Sequence, residues 1–213
     1  MKALALALVF LTAGGLAAEK AKPSANVEKP PCCRELPLGK PPTDKSLYQL
    51  DSVWTSDVGR EVKLGVLRGR PQVVAMFFAQ CEYACPIIVE NMRALERALP
   101  AALRERADFL LVTFDTERDT PEVLHAYRKK TKLGTAHWTL LRGRGDDVRE
   151  LAALLGINYR RDARGQFSHS NVITVLNAEG EVVFQQAGLN REGAGIIAAL
   201  EKALAAAPRP ASP

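Results

Sequence analysis

The sequence predicts an α/β fold: a central sheet with helices packed against it. Three observations carry that expectation. Two largely apolar runs, Gln72–Phe78 and Asp108–Phe114, read as strands buried on both faces. Each is followed by a segment whose apolar residues recur at helical spacing. Near the end, Val172–Leu176 and Glu181–Phe184 flank the turn Asn177–Ala178–Glu179–Gly180 and read as a hairpin. Strand and helix in alternation, then a hairpin and a helix, is the order of a layered α/β domain.

The chain of 213 residues opens on MKALALALVFLTAGGLAA. Residues 1–18 are expected to be a secretory signal peptide. Lys2 supplies the positive start and Ala3–Leu11 the apolar run. Gly15 with Ala17, or Leu16 with Ala18, offers the cleavage site. The run is short for a membrane span, which needs about 20 residues. Export is therefore expected, into a compartment where thiols oxidise unless kept reduced or metallated. Residues 19–45 contain Pro23, Pro30, Pro31, Pro37, Pro41 and Pro42 and are expected to form an extended, flexible linker. The domain is assigned to residues 46–207, and residues 208–213 (PRPASP) to a disordered tail.

Within the domain, Val53–Thr55 and Glu61–Leu64 flank Asp57–Val58–Gly59 and predict an N-terminal hairpin. After the first buried strand, Pro86 is expected to open a helix with Ile88, Met92, Leu95 and Leu99 on one face, and Pro100 to end it. After the second, Thr120 is a suitable N-cap and Pro121 a suitable first helical residue. Leu124, Tyr127 and Thr131 follow at helical spacing, with Gly134 as the expected stop. Trp138–Leu141 predicts a short strand. Asp146–Asp147 begin a helix that places Val148, Leu151 and Leu155 inward and closes at Gly156. A last helix carries Ile196, Ile197, Leu200 and Leu204, and Pro208 stops it.

Composition narrows the function classes. Hydrophobic residues make up 47% and charged residues 25%, with a net charge of +5, as in ordinary globular domains. The basic residues are scattered among acids and form no block interleaved with aromatics, which argues against nucleic acid as a partner. A mildly basic surface suits an acidic partner protein.

Cys81 and Cys85 concentrate the chemistry. They lie just past the end of the first buried strand, and in open α/β sheets function gathers at the carboxyl ends of strands. With Pro86 as first helical residue, Cys85 is expected at or near the N-cap. There the helix dipole and the unpaired N–H groups favour thiolate, which is both nucleophile and metal ligand. Three residues separate the cysteines, Glu82, Tyr83 and Ala84, where dithiol reductases use two. The loop admits a disulfide, a redox pair or a metal clamp. Two sulfurs leave an ion incompletely coordinated, and imidazole is the obvious third donor. His125 points off its helix's apolar face, and His137 reads as structural or exposed. His169, in QFSHSN directly before the Val172–Leu176 strand, sits where a loop can fold over the cysteines.

At these residues the chain resembles the Sco/SenC family, thioredoxin-like copper-binding factors for cytochrome c oxidase assembly. FFAQCEYACP resembles the family's CxxxCP motif. Val112–Pro121, VTFDTERDTP, is similar to its FDPxRDTP segment. SHSNVITVLNAEGEVV, from Ser168, resembles the copper-binding histidine and following hairpin. Order and separation match, and the resemblance covers roughly residues 46–205. It implies a thioredoxin-like mixed sheet with flanking helices and the N-terminal hairpin as an extension. It also implies copper, as Cu(I), Cu(II) or both, held by Cys81, Cys85 and His169. Soft thiolates select Cu(I), and imidazole accommodates either valence. Glu82 stands where the family commonly has proline, and Thr116 replaces the usual proline of the second motif; neither removes a ligand.

Asp115 and Asp119 are expected to support the site from behind or to face a partner. Cys32 and Cys33, in the linker, are candidate auxiliary thiols that could reach the pair. The leading expectation is a copper metallochaperone rather than a conventional enzyme. It would deliver copper to the dinuclear site of oxidase subunit II from the periplasm or the outer face of a bacterial cytoplasmic membrane. A periplasmic copper donor or thiol reductant would be a further partner. The alternatives are a thiol–disulfide reductase acting through Cys81 and Cys85, and a redox or copper sensor. Ser168–Asn171 lacks the proline that faces the thiols in thioredoxin-type reductases, which favours the metal role.

Overall fold

A computed structural model describes residues 46–189 and 193–207. The expected signal peptide, the linker with Cys32 and Cys33, and the tail from residue 208 lie outside the described residues.

The chain enters through a short 3₁₀ turn, Leu47–Gln49, then forms the hairpin β1 (Val53–Ser56) and β2 (Glu61–Lys63). The central strand β3 (Gln72–Phe77) leads into helix α1 (Ala84–Ala98) and a single-turn helix α2 (Ala101–Arg104). Strand β4 (Asp108–Thr113), helix α3 (Pro121–Thr131), strand β5 (Trp138–Arg142) and helix α4 (Gly145–Leu154) follow. Next come β6 (Tyr159–Arg161) and β7 (Phe167–His169), then β8 (Val172–Leu176), β9 (Val182–Ala187) and helix α5 (Ala194–Ala206).

Seven strands form one mixed sheet in the order β2-β1-β5-β4-β3-β8-β9, with β6 and β7 as a separate pair. Strands β3, β4 and β5 are parallel, and the hairpins flanking them are antiparallel. This is the mixed sheet with flanking helices that was expected, and the N-terminal hairpin extends it through β1 against β5. Every residue of β3 is buried, as its continuous apolar sequence requires. Phe77, Phe109, Leu111 and Leu140 are fully enclosed, each stabilising the fold by about 1.5–3 kcal/mol relative to exposure. Phe77 and Thr113 are register partners and so share a face; Tyr127 of α3 packs on that face, its ring 5.0 Å from Phe77.

The helix signals hold unevenly. Thr120 caps α3 by accepting the Val123 N–H, with Pro121 as first residue. The left-handed residue that ends α3 is Lys132, φ 55°, and not Gly134. The N–H of Lys132 still reaches the carbonyls of Arg128 and Lys129, while the Gly134 carbonyl accepts from Arg128. Helix α1 starts at Ala84, two residues before the expected Pro86. Proline lacks only an N–H that the first turn leaves unpaired in any case, so it marks the first turn and not its first residue. Cys85 therefore lies inside the helix, past its N-cap at Tyr83.

The β6–β7 pair is the element the periodicity did not announce. His169 was expected in a loop and stands on strand β7, paired with Tyr159. The connecting turn has a local explanation. Asp162 Oδ1 accepts the N–H groups of Arg164 and Gln166, and Gly165 adopts φ +76°, a conformation that favours glycine.

Candidate metal site

The site lies at the carboxyl end of β3. The chain turns sharply after Phe77, the Cys81 N–H bonding to the Phe78 carbonyl at 3.2 Å. The unpaired N–H of Cys85, in the first turn of α1, points at Cys81 Sγ, 3.3 Å away. The helix terminus therefore acts on Cys81. The expectation that Cys85 would be the activated thiol is reversed, because Cys85 is carried into the helix and behind its sister.

The two sulfurs consequently differ. Cys81 is partly exposed and its pKa is drawn down to about 4. The Cys85 thiol hydrogen-bonding to it is the main cause; His169 and the N–H groups of Cys85 and Tyr83 add to it, against the opposing effect of burial. Cys85 is wholly buried, and that burial, followed by the neighbouring Cys81 sulfur, pushes its pKa up. Cys81 is the resident thiolate and Cys85 the resident thiol. Both are free cysteines.

Strand β7 brings His169 across the sequence to this pair. Its Nε2 lies 3.8 Å from Cys85 Sγ, and its Nδ1 lies 3.0 Å from the Ser170 carbonyl. A carbonyl can only accept, so Nδ1 carries a proton, and Nε2 is the ring nitrogen turned towards the sulfur. The imidazole is buried, 5.0 Å from the Phe114 ring and edge-on to Phe78. These aromatic walls fix its orientation and limit water around it. Among the described residues no group of three Cys, His, Asp or Glu side chains is arranged so that it could hold a metal ion. The three candidate donors are neighbours, and two soft sulfurs with one imidazole nitrogen suit a soft cation.

Both aspartates singled out in the sequence are buried, Asp115 at 1% exposure and Asp119 at 0%, so neither faces a partner. Asp119 Oδ2 accepts the Ala79 N–H at 2.9 Å and the Thr113 hydroxyl, which ties the cysteine loop to the end of β4. Burial raises its pKa, against the pull of those two bonds. It does not cap α3; Thr120 does. Asp115 pairs with Arg118, whose guanidinium also reaches the Gly165 carbonyl in the β6–β7 turn.

The other histidines stay apart from the cysteines. His125 lies half-exposed beside Asp57, and His137 bonds Asp108 at 3.1 Å. Sequence reasoning missed Arg118, Thr113 and the Phe78 and Phe114 walls. All four lie inside stretches already quoted for their motifs, so the signal available was their proximity to Cys81 and Asp119.

The SCO1/SenC family profile matches residues 42–205. The chain belongs to the SCO1/SenC family. A relative from Stutzerimonas stutzeri, named a candidate copper-binding protein, is 28% identical over 145 residues, covering 66% of this chain and 69% of its own. Yeast Sco1, solved with copper bound, superposes with a TM-score of 0.62 at 20% identity, over 78% of this chain and 92% of that one. BsSco, described as having a disulfide switch and as a member of the Sco family of cytochrome c oxidase assembly proteins, gives 0.65 at 21%, over 77% and 98%. At these identities the structural likeness establishes a shared fold.

Proposed function

We propose that this SCO1/SenC protein is a copper metallochaperone. Cys81, Cys85 and His169 take up one copper and pass it to the dinuclear copper site of cytochrome c oxidase subunit II. One observation carries the reading: an imidazole with its Nδ1 proton engaged turns its Nε2 towards Cys85 Sγ at 3.8 Å. The copper-bound yeast relative and the family's link to oxidase assembly support it.

The residues divide the work of loading. Cys81 is already a thiolate and partly exposed, so it meets the incoming ion first. Cys85 must lose a proton to solvent before it can ligate, since His169 Nε2 is itself needed as a donor. Three donors leave the ion open to a partner thiolate, which can displace them one at a time; a closed four-ligand site would retain the metal. The N-terminal sequence supports export and action outside the cytoplasm. Among the described residues no helix is long and apolar enough to cross a membrane.

A second reading is favoured by the unequal sulfurs. An accessible thiolate beside a buried thiol is the arrangement by which Cys81 attacks a partner disulfide and Cys85 then releases the mixed disulfide. The deciding experiment is a Cu(I) competition titration on reduced wild-type and His169→Ala protein, run beside a disulfide-reduction assay. Tight binding lost with His169 is expected. Reductase turnover with copper affinity indifferent to His169 would overturn the chaperone assignment.

A further inference from the structure

The loop between β4 and α3 touches both donor segments. At one end Asp119 holds the cysteine turn through the Ala79 N–H. At the other, Arg118 bridges the buried Asp115 carboxylate and the Gly165 carbonyl. Gly165 forms the β6–β7 turn, four residues before His169. A second tie runs alongside, from Arg161 of β6 to Glu117 at 2.7 Å. A third arginine, Arg142 of β5, donates to the Thr116 carbonyl and fixes the loop to the sheet. The hairpin carrying His169 has no strand pairing to the main sheet; its C-terminal end is fixed by the run into β8 and by the Gly188 N–H on the Asn171 carbonyl, while these side-chain ties hold its turn.

We infer that the Asp115–Asp119 loop is a bracket that sets the separation of imidazole and sulfurs, with Arg118 as the positioning residue for His169. The inference rests on the proposed copper site. Arg118 touches neither sulfur nor ring; it acts by holding the turn from which β7 begins. Its planar fork serves two acceptors in different directions, which a lysine's single ammonium does not reproduce. The buried Asp115 carboxylate supplies the fixed end, and Gly165 permits the approach: a Cβ there would stand 3.3 Å from an Arg118 nitrogen.

Arg118→Lys keeps a cation beside Asp115, so the fold is retained while the reach to Gly165 is lost. Cu(I) affinity is expected to fall about 10–100-fold, the range usual for groups that orient a metal ligand. In a His169→Ala background the same change is expected to cost nothing further, since it acts through the missing ring. Wild-type affinity in Arg118→Lys would overturn the inference. So would an equal loss with His169 absent, which would place the effect on the cysteines or the fold. If the wild type binds no copper, the copper reading fails separately. Hydrogen exchange then decides: faster exchange confined to residues 159–169 in Arg118→Lys supports the bracket, and unchanged exchange there overturns it.

Discussion

The two ends of the central sheet are built on opposite plans. At the end where the parallel strands begin, the charged groups close on one another, although Gln72 Oε1 there finds no partner among the described residues. Arg70 forks onto Asp108 at 2.6 and 3.0 Å, and His137 joins the same carboxylate. Nearby, Arg128 of α3 grips the buried Asp57 at 2.6 and 2.8 Å and donates to the carbonyls of Gly134 and Trp138. At the end where the strands finish, polar groups are left with capacity. Cys81 is a thiolate, His169 turns Nε2 towards Cys85, and Asp119 Oδ1 and the Tyr127 hydroxyl find no partner among the described residues. The contrast teaches that a histidine's role follows from its neighbours: His137 faces a carboxylate and cation already paired, His169 a sulfur. Satisfied networks stabilise; unsatisfied ones are where chemistry is expected.

Four measurements test that division, in order of expected size. The largest concerns Cys81. Between pH 5 and 8 an ordinary thiol alkylates about tenfold faster per pH unit as its thiolate fraction rises. Cys81, with its pKa near 4, should react at a nearly constant rate over that range, while buried Cys85 stays unmodified in the folded protein. Mass spectrometry of iodoacetamide-treated protein reads both sites; a steep rise at Cys81 would mean that the Cys85 thiol and the helix terminus do not hold a thiolate there. The linked stability has a definite sign. The folded pKa lies below the ordinary value of 9.0. The contribution is therefore fully present above pH 9 and is lost as pH falls towards 4.

Next, Arg128→Met leaves Asp57 buried without its cation. Breaking such a pair costs about 3–5 kcal/mol, visible as a lower urea midpoint with unchanged slope. Copper affinity of the folded variant should stay within about twofold, because nothing near the cysteines changes; a large loss of affinity would mean the two ends are coupled.

Third, the paired variants His169→Ala and His137→Ala should separate cleanly. The first should weaken Cu(I) binding roughly a hundredfold, about 2.8 kcal/mol at 1.4 kcal/mol per tenfold. The second should leave binding alone. Equal effects would erase the distinction between the imidazoles.

The smallest effect is expected for Tyr127→Phe. Removing a buried hydroxyl that bonds to no described residue should leave stability unchanged or raise it by up to about 1 kcal/mol. A clear loss on urea denaturation would show that the hydroxyl is satisfied after all, and that the functional end is less open than it looks.

Much of this was legible in the residue order, unevenly. Strands β3 and β4 announced themselves because burial on both faces demands unbroken apolar runs. Thr120–Pro121 announced α3 because capping is local chemistry. The cysteine spacing and the SHSN stretch pointed to the donors through motif resemblance. The β6–β7 pair did not announce itself. Its strands are short and carry Arg160, Arg161 and Ser168, so no alternation stands out, and only the Asp162–Gly165 turn could have betrayed it. Likewise Arg118 lay in plain view in the RDTP motif, but its partner carbonyl is 47 positions away.

By itself the sequence determined the layered α/β class, the order of its principal elements, the family, and which three side chains could serve a soft ion. The class and element order follow from local patterning and residue chemistry, the family and the three side chains from motif resemblance; none needs knowledge of distant contacts. Only the tertiary structure decided which cysteine carries the charge, that both aspartates are enclosed, and that His169 rides a strand held by an arginine from elsewhere. Those outcomes depend on burial and on pairs far apart in the chain. Electrostatic environment is set by what folds nearby, and linear order does not contain it.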